Sequence, residues 1–188
     1  MGSNYVTNPI EFLINTLFSL YILTVMLRFI LAVVRADFYN PVSQFLVKVT
    51  NPPLLPLRKL IPSVGKVDTS ALVLMLVLQM ASFGLIALLR GGQISLGALV
   101  ILSIAELVGL LLNVFLFSIF IQVIISWINP GTYNPVVSLL YSITEPVLRP
   151  CRRLIPPMSG MDLSPLVALI AIQLAKMLLL PPIVQLAQ

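Results

Sequence analysis

One stretch of 32 residues occurs twice in this chain and decides its organisation. Residues 39–70 read YNPVSQFLVKVTNPPLLPLRKLIPSVGKVDTS, and residues 133–164 read YNPVVSLLYSITEPVLRPCRRLIPPMSGMDLS. At an offset of 94 residues, 15 of the 32 positions are identical without a gap. Identity at this level over one fixed offset indicates a tandem duplication. We therefore divide the chain into a first repeat, 1–92, and a second repeat, 93–188.

Each copy of the stretch lies between two long apolar segments. Hydrophobic residues make up 59% of the chain and charged residues 9%, whereas soluble domains carry roughly 25% charged residues. A helix needs about 20 apolar residues to cross a bilayer. The segments that satisfy this predict four transmembrane helices, over about 11–34, 69–89, 97–128 and 164–184.

The third segment is longer than a span requires, so its helix is tilted or starts late, near Gly97. A break at Gly109 is the alternative to the single helix that we favour. The predicted fold is an all-α membrane protein. Two spans per repeat put both repeats in the same orientation, related by an axis along the membrane normal.

Charge predicts which side of the membrane each loop occupies. The two loops that contain the repeated stretch hold eight basic residues, and the opposite side has only Arg90. Loops rich in lysine and arginine stay in the cytoplasm. Both repeat loops are therefore expected in the cytoplasm and both termini on the other side. The eight residues are Arg35, Lys48, Arg58, Lys59, Lys66, Arg149, Arg152 and Arg153.

The start of each repeated stretch predicts a short amphipathic helix. Asn40 is a good N-cap, the proline after it suits the first helical position, and the second copy repeats this pattern. Apolar residues then recur at helical spacing. Pro52 and Pro146 are expected to end these helices. The pattern predicts interfacial helices over about 41–51 and 135–145, too short to span and lying in the headgroup plane.

Basic pairs follow these helices in both copies. Arg58-Lys59 and Arg152-Arg153 are candidate contacts with anionic lipid headgroups, where they also act as orientation signals. The alternative is a docking surface for the acidic tail of a protein partner. Asp68 and Asp162 are expected to cap the next spans.

Several polar residues fall within the predicted spans. Glu106 and Lys176 lie at similar distances from the outer ends of adjacent spans, and we predict that they form an intramembrane ion pair that fixes helix register. A part in an ion or proton path is the functional alternative. Gln79 and Gln173 are repeat counterparts, and we predict a hydrogen bond between them that joins the repeats.

The sequence offers little for catalysis. It has no histidine, which removes the commonest general base and metal ligand. Its one cysteine, Cys151, corresponds to Leu57 in the first repeat and is interpreted as a small apolar residue. Basic residues form no aromatic-interleaved face, so nucleic acid is not an expected partner. We expect no enzymatic activity, no cofactor and no metal.

The duplicated pattern resembles the YggT family, also called YlmG, of bacterial and plastid membrane proteins. The matching residues in both copies are Tyr-Asn-Pro, then Pro-x-x-x-Pro-x-Arg-basic-Leu-Ile-Pro, then Asp-x-Ser before an apolar span. Departures are Thr132 where the first copy has Phe38, and Glu145 where it has Asn51. Two copies match the proteobacterial form, which implies the bacterial inner membrane with both termini in the periplasm.

The resemblance implies several roles and no catalytic residues. Plastid relatives look like assembly factors for haem attachment, and bacterial relatives are linked to cell division, envelope organisation, or potassium uptake and osmotic stress. We expect a membrane scaffold or assembly factor that acts through its basic loops. The alternative is a potassium transporter or channel component. Expected partners are the bilayer, its anionic headgroups, and either a membrane protein or a second copy of the chain.

Overall fold

The computed structural model describes residues 3–65, 67–128, 131, 134–154 and 162–187, with side chains described from Asn8 onward. Within this part of the chain the regular secondary structure is helical, and one isolated β-bridge joins Val64 to Val67. Of the repeated stretch, Lys66, Tyr133 and residues 155–161 lie outside the described part. The helices are α1 (Ser3–Val33), α2 (Pro41–Leu60), α3 (Thr69–Leu89), α4 (Leu96–Ile128), α5 (Pro135–Leu154) and α6 (Ser164–Gln185).

Four of these helices have the length and apolar composition to cross a membrane. They are α3, α4, α6 and the Asn8–Val33 part of α1. This confirms the all-α membrane fold. α4 runs without interruption through Gly109 for 33 residues, so the alternative of a break there is wrong. At about 1.5 Å per residue, it is longer than the about 30 Å hydrocarbon core.

The amphipathic helices are longer than predicted. Both α2 and α5 contain 20 residues and continue through Pro52 and Pro146, where the sequence pattern had ended them. A proline removes one helical hydrogen bond and frees a carbonyl one turn earlier. At the adjacent Pro53 this loss is compensated, because the freed Val49 carbonyl accepts a 3.4 Å hydrogen bond from the Tyr21 hydroxyl. Pro52 and Pro146 are exposed, so their rings do not crowd the bundle.

The caps of α2, α3 and α5 form as the sequence predicts. The Asn40 side chain accepts from the Val42 amide at 2.9 Å, and Asn134 accepts from the Val137 amide at 2.9 Å. Asp68 accepts from the Ala71 amide at the start of α3. Each cap satisfies a backbone N–H that the first helical turn leaves without a partner.

The spans pack in an open order rather than a closed square. α1, α3 and α4 contact one another, whereas α6 contacts α4 and no other span in the described residues. The larger core cluster joins α1, α2 and α3 with residues of α4 and α5, and a smaller one holds Ile119, Leu148, Ala168 and Ile172. The first repeat is therefore the better enclosed half.

Both amphipathic helices lie at one end of the bundle. α2 connects the end of α1 to the start of α3, α5 connects α4 to α6 in the same way, and the two helices contact each other. We call this the α2/α5 end. At the opposite end, Arg90 makes a two-point ion pair with Glu11, at 2.9 and 2.7 Å, which joins the end of α3 to the start of α1.

Candidate functional site

Each repeat buries one polar contact between its first span and its amphipathic helix. In the first repeat, Arg28 Nη1 donates a 2.6 Å hydrogen bond to the Thr50 hydroxyl. In the second, the Thr144 hydroxyl donates to the Gln122 side-chain oxygen. Both members of one contact are counterparts of the other at the 94-residue offset. The geometry of the contact is therefore duplicated although its charge is not.

Helical spacing explains why these threonines face the bundle. Ser43, Leu46, Thr50 and Leu54 are the buried residues of α2, at intervals of three or four. In α5, Thr144 and Leu148 take the places of Thr50 and Leu54 and are likewise fully buried. A polar group buried without a partner is costly. The arginine and the glutamine thus hold each amphipathic helix to its span, a role that no charge-based reading of the sequence identifies.

A second duplicated contact joins the end of each amphipathic helix to the start of the next span. Arg58 is ion-paired with Asp68, and its counterpart Arg152 donates to Asp162 at 3.1 Å. Arg152 also pairs with Glu145 at 2.9 Å, a residue that the first repeat replaces with Asn51. We call the Arg58–Asp68 and Arg152–Asp162 pairs the two clasps.

The clasp of the second repeat lowers the pKa of its carboxyl group, that of Asp162. Partial burial alone would raise the pKa of Asp162, but hydrogen bonds from Ser164 and from Arg152 outweigh it and lower that pKa. The Ser164 amide donates at 2.9 Å. Asp162 therefore accepts a hydrogen bond from the first amide of α6 and is the partner of Arg152, but the N-cap residue of α6 is Leu163, so the prediction of Asp162 as the N-cap is wrong by one residue.

Of the four basic residues predicted to contact lipid or a partner, two belong to the clasps and two do not. Arg58 and Arg152 are engaged within the chain. Lys59 and Arg153, one residue further on, are exposed and appear in no ion pair among the described residues. They stand next to Leu60 and Leu154, which are 80% and 78% exposed. The basic residue and the leucine form a small amphipathic tip at the end of each helix.

The predicted ion pair between Glu106 and Lys176 is not formed in the described structure. Lys176 instead donates a 2.7 Å hydrogen bond to the Asn113 side chain, and Glu106 is exposed. One turn away along α4, Gly109 lies opposite Leu180 of α6, because a Cβ placed at Gly109 would lie 3.5 Å from the Leu180 side chain. α4 and α6 are antiparallel, so this register puts Glu106 about two helical turns beyond Lys176.

Glu106 and Lys176 lie at similar distances from the outer ends of their helices, but these two helix ends are not at the same level. α4 has 33 residues and α6 has 22, so α4 extends beyond α6 at the end opposite α2 and α5. Equal distances from two such ends are not equal depths in the membrane. Lys176 therefore bonds to Asn113, the polar residue of α4 that lies at the same depth.

The predicted hydrogen bond between Gln79 and Gln173 is also wrong. Gln79 is buried in α3, whereas Gln173 is exposed on α6. Within the described residues, α3 and α6 do not approach each other within 8 Å between Cα atoms. A symmetric contact between two counterpart residues requires a two-fold axis between the repeats. These repeats lack that axis, because α3 contacts α4 but α6 does not contact α1 among the described residues.

A cavity of about 260 Å³ lies between α1, α3 and α4, at the interface of the two repeats. Its lining is apolar, with Met26, Met75 and Leu107 among the residues that contribute. None of the polar groups described above lines it. Among the described residues, no three His, Cys, Asp or Glu side chains come together as a metal site would require.

Four spans, a buried polar contact and a clasp in each half define a duplicated, multi-pass helical membrane protein. The chain belongs to the CCB3/YggT family, whose family model matches residues 7–89 and again 101–183. The two matches are separated by the same offset of 94 residues as the repeated stretch. The resemblance inferred from the motifs is thereby confirmed.

Proteins from several bacteria are similar to most of this chain. The chain is 47% identical to an uncharacterized protein of Pseudomonas aeruginosa over 171 residues, which cover 90% of this chain and 87% of that protein. It is 34% identical to the protein YggT of Escherichia coli over 174 residues, which cover 90% and 88%. A relative in Vibrio alginolyticus is 42% identical, covering 92% and 94%. No solved structure matches the chain.

Proposed function

We propose that this protein is a non-enzymatic scaffold of the bacterial inner membrane. Its two amphipathic helices would bind anionic headgroups and an acidic segment of a membrane-protein partner. The observation that carries the proposal is the duplication of the clasp. Arg58–Asp68 and Arg152–Asp162 fix two equivalent helix ends at the same end of the bundle. Each end presents a basic residue, Lys59 or Arg153, to the surroundings.

The distribution of charge supports one orientation of the scaffold in the membrane. Basic residues concentrate in the two loops that contain α2 and α5, and such loops stay in the cytoplasm. The α2/α5 end would then face the cytoplasmic leaflet, whose anionic lipids attract lysine and arginine. Both termini would face the periplasm. The absence of histidine from the sequence supports a role without catalysis.

The placement of the intramembrane polar groups favours a scaffold over a conduit. Arg28 and Gln122 are used to hold α2 and α5, and Lys176 is used between α4 and α6. Each of these groups contacts a partner on a neighbouring helix, and none of them lines the cavity between the repeats, which is apolar. An ion path needs polar groups that line one continuous route.

Ion transport, of potassium above all, is the second candidate function. The observation that favours it is the Lys176–Asn113 hydrogen bond, because charged groups inside spans often belong to ion routes. A single charged contact between two neighbouring helices is more simply a packing contact. We therefore place transport second.

Photocrosslinking in cells tests the scaffold proposal. Leu60 or Leu154 is replaced by a photoreactive amino acid, and Val77, which is exposed on α3, serves as the matched control. The proposal predicts that positions 60 and 154 capture the same membrane protein and that Lys59→Gln with Arg153→Gln reduces the yield several-fold. Capture that is equal at all three positions, or no protein adduct at 60 and 154, would contradict it.

A further inference from the structure

The two repeats pack head to tail. α3 of the first repeat contacts α4 of the second, and α1 contacts α5. A two-fold arrangement would also bring α6 against α1 and α4 against α2. Neither of these pairs comes into contact among the described residues. The interface is therefore heterologous: the first repeat uses one surface and the second repeat uses a different one. Each repeat also carries the counterpart of the other's surface, and these two counterpart surfaces have no partner repeat within the chain.

We call these the head face, on α1 and α2, and the tail face, on α4, α5 and α6. The head face holds the counterparts of the residues by which the second repeat meets the first. The tail face holds the counterparts of the residues by which the first repeat meets the second. A second chain could therefore repeat the internal contact with no new type of surface.

Burial of counterpart residues marks the tail face. Gln79 is 5% exposed in the first repeat, whereas its counterpart Gln173 is exposed. α6 packs against α4 and α5 as α3 packs against α1 and α2, so the partner that α6 lacks is the one that α4 provides to α3. Gln173 consequently presents an amide to hydrocarbon in the middle of a span, an unfavourable position for a polar group.

Asparagine caps show the same difference. Asn40 is buried, and its side-chain amide donates a 2.6 Å hydrogen bond across the interface to the Pro135 carbonyl. Its counterpart Asn134 is exposed. In a second chain, the group that corresponds to the Pro135 carbonyl is the carbonyl of Pro41.

The head face shows the reverse pattern. Leu139 and Ile143 of α5 are 5% and 4% exposed against the first repeat. Their counterparts on α2, Phe45 and Val49, are 62% and 36% exposed. On α1, Leu13 is exposed, whereas its counterpart Leu107 faces α3 in the cavity between the repeats.

We propose that copies of this chain assemble head to tail in the membrane, with α6 of one copy against α1 of the next. Asn134 of the first copy then donates to the Pro41 carbonyl of the second, as Asn40 donates to Pro135 within a chain. Gln173 is removed from lipid in the same step. A heterologous contact of this kind closes into a ring or continues along the membrane.

Cysteine crosslinking tests the assembly. Cys151 is the only cysteine, so Cys151→Ser gives a background without thiols. Leu72 and Leu107 line the same cavity within one chain, and their counterparts across the proposed contact are Leu166 and Leu13. Two differently tagged chains, one carrying Leu13→Cys and the other Leu166→Cys, are coexpressed and treated in membranes with a short bifunctional thiol reagent.

The proposal predicts an adduct of two chains that carries both tags. The intrachain pair Leu72→Cys with Leu107→Cys is the positive control for folding and for reactivity at this depth. Val77→Cys coexpressed with Leu166→Cys is the negative control, since Val77 lies on neither face. If the intrachain pair crosslinks but the 13–166 pair gives no more adduct than the 77–166 pair, or gives only adducts to other proteins, the assembly is ruled out.

Discussion

The buried guanidinium of Arg28 donates a 2.6 Å hydrogen bond to the hydroxyl of Thr50, and this bond joins the first span to the amphipathic helix that follows it. The second repeat keeps the contact with a neutral partner, since Thr144 bonds to Gln122. One half of the molecule therefore depends on a buried charge at this contact, and the other half does not. The same substitution in the two repeats therefore compares a charged contact with a neutral one in the same protein.

Loss of the Thr50 hydroxyl should destabilise the protein more than loss of the Thr144 hydroxyl. Thr50→Val leaves a buried cation short of an acceptor, at a cost of about 1–3 kcal/mol, and Thr144→Val affects only a neutral amide, at about 1 kcal/mol. Titration of the detergent-solubilised protein with a denaturing detergent gives both values. In an Arg28→Gln background the two costs should become similar. A Thr50→Val cost no larger than that of Thr144→Val in the wild-type background would refute the role of the charge.

The Lys176–Asn113 contact should matter for folding, whereas Glu106 should not. Asn113→Leu removes the acceptor at 2.7 Å and leaves a lysine between two spans, which is unfavourable in hydrocarbon. We expect a lower yield of folded protein in membranes, restored when Lys176→Met is added. Glu106→Gln should leave the yield unchanged. A loss with Glu106→Gln as large as that with Asn113→Leu would revive the ion pair inferred from the sequence.

Acid should weaken the second clasp. The folded-state pKa of Asp162 is lowered, mainly by its hydrogen bonds with Ser164 and Arg152 against the opposing effect of burial. Its contribution to stability is thus present above the unfolded pKa of about 3.9 and is lost as pH falls through the folded pKa. The group is partly exposed, so the contribution is below about 1 kcal/mol.

The measurement for this clasp is the unfolding midpoint as a function of pH. The difference between wild type and Asp162→Asn should be constant above about pH 5 and should shrink below about pH 4. Arg152→Gln should reduce the same difference, because it removes one of the groups that lower the pKa. A difference that stays constant down to the lowest pH would show that the clasp does not depend on ionised Asp162.

Gly109 should tolerate a methyl group but not a large side chain. A Cβ at this position would lie 3.5 Å from Leu180, an ordinary van der Waals distance. Gly109→Ala should therefore leave stability unchanged or improve it, since alanine favours the helix by about 1 kcal/mol. Gly109→Leu should separate α4 from α6 and disturb the nearby Lys176–Asn113 bond. The opposite order of stability for the two variants would contradict the packing of α6 on α4.

Much of the architecture could be predicted because it depends on local patterns. Span length, the repeat offset and the caps at Asn40, Asn134 and Asp68 each depend on residues that are neighbours in the sequence. The true ends of α2 and α5 were missed because each helix continues beyond its proline to bury a leucine, Leu54 or Leu148, in the bundle. Local sequence contains no information about the hydrogen bond that Tyr21 offers to a freed carbonyl.

Contacts between helices were predicted less well. Glu106 and Lys176 were paired by counting from helix ends, which fails when α4 is eleven residues longer than α6. Gln79 and Gln173 were paired by assuming that counterparts meet, which fails when repeats pack head to tail. The signal that could have found the real site was the repeated spacing of 22 residues from Arg28 to Thr50 and from Gln122 to Thr144.

In our account, the polar groups inside this protein hold a scaffold together and do not carry ions. Potassium and proton flux into liposomes that contain the purified protein tests it most directly, beside the Lys176→Met and Glu106→Gln variants. An added potassium ionophore confirms that the liposomes hold a gradient. The scaffold account predicts no flux above that of empty liposomes for all three proteins. Flux through the wild-type protein that Lys176→Met abolishes would contradict it and would make Lys176 part of an ion route.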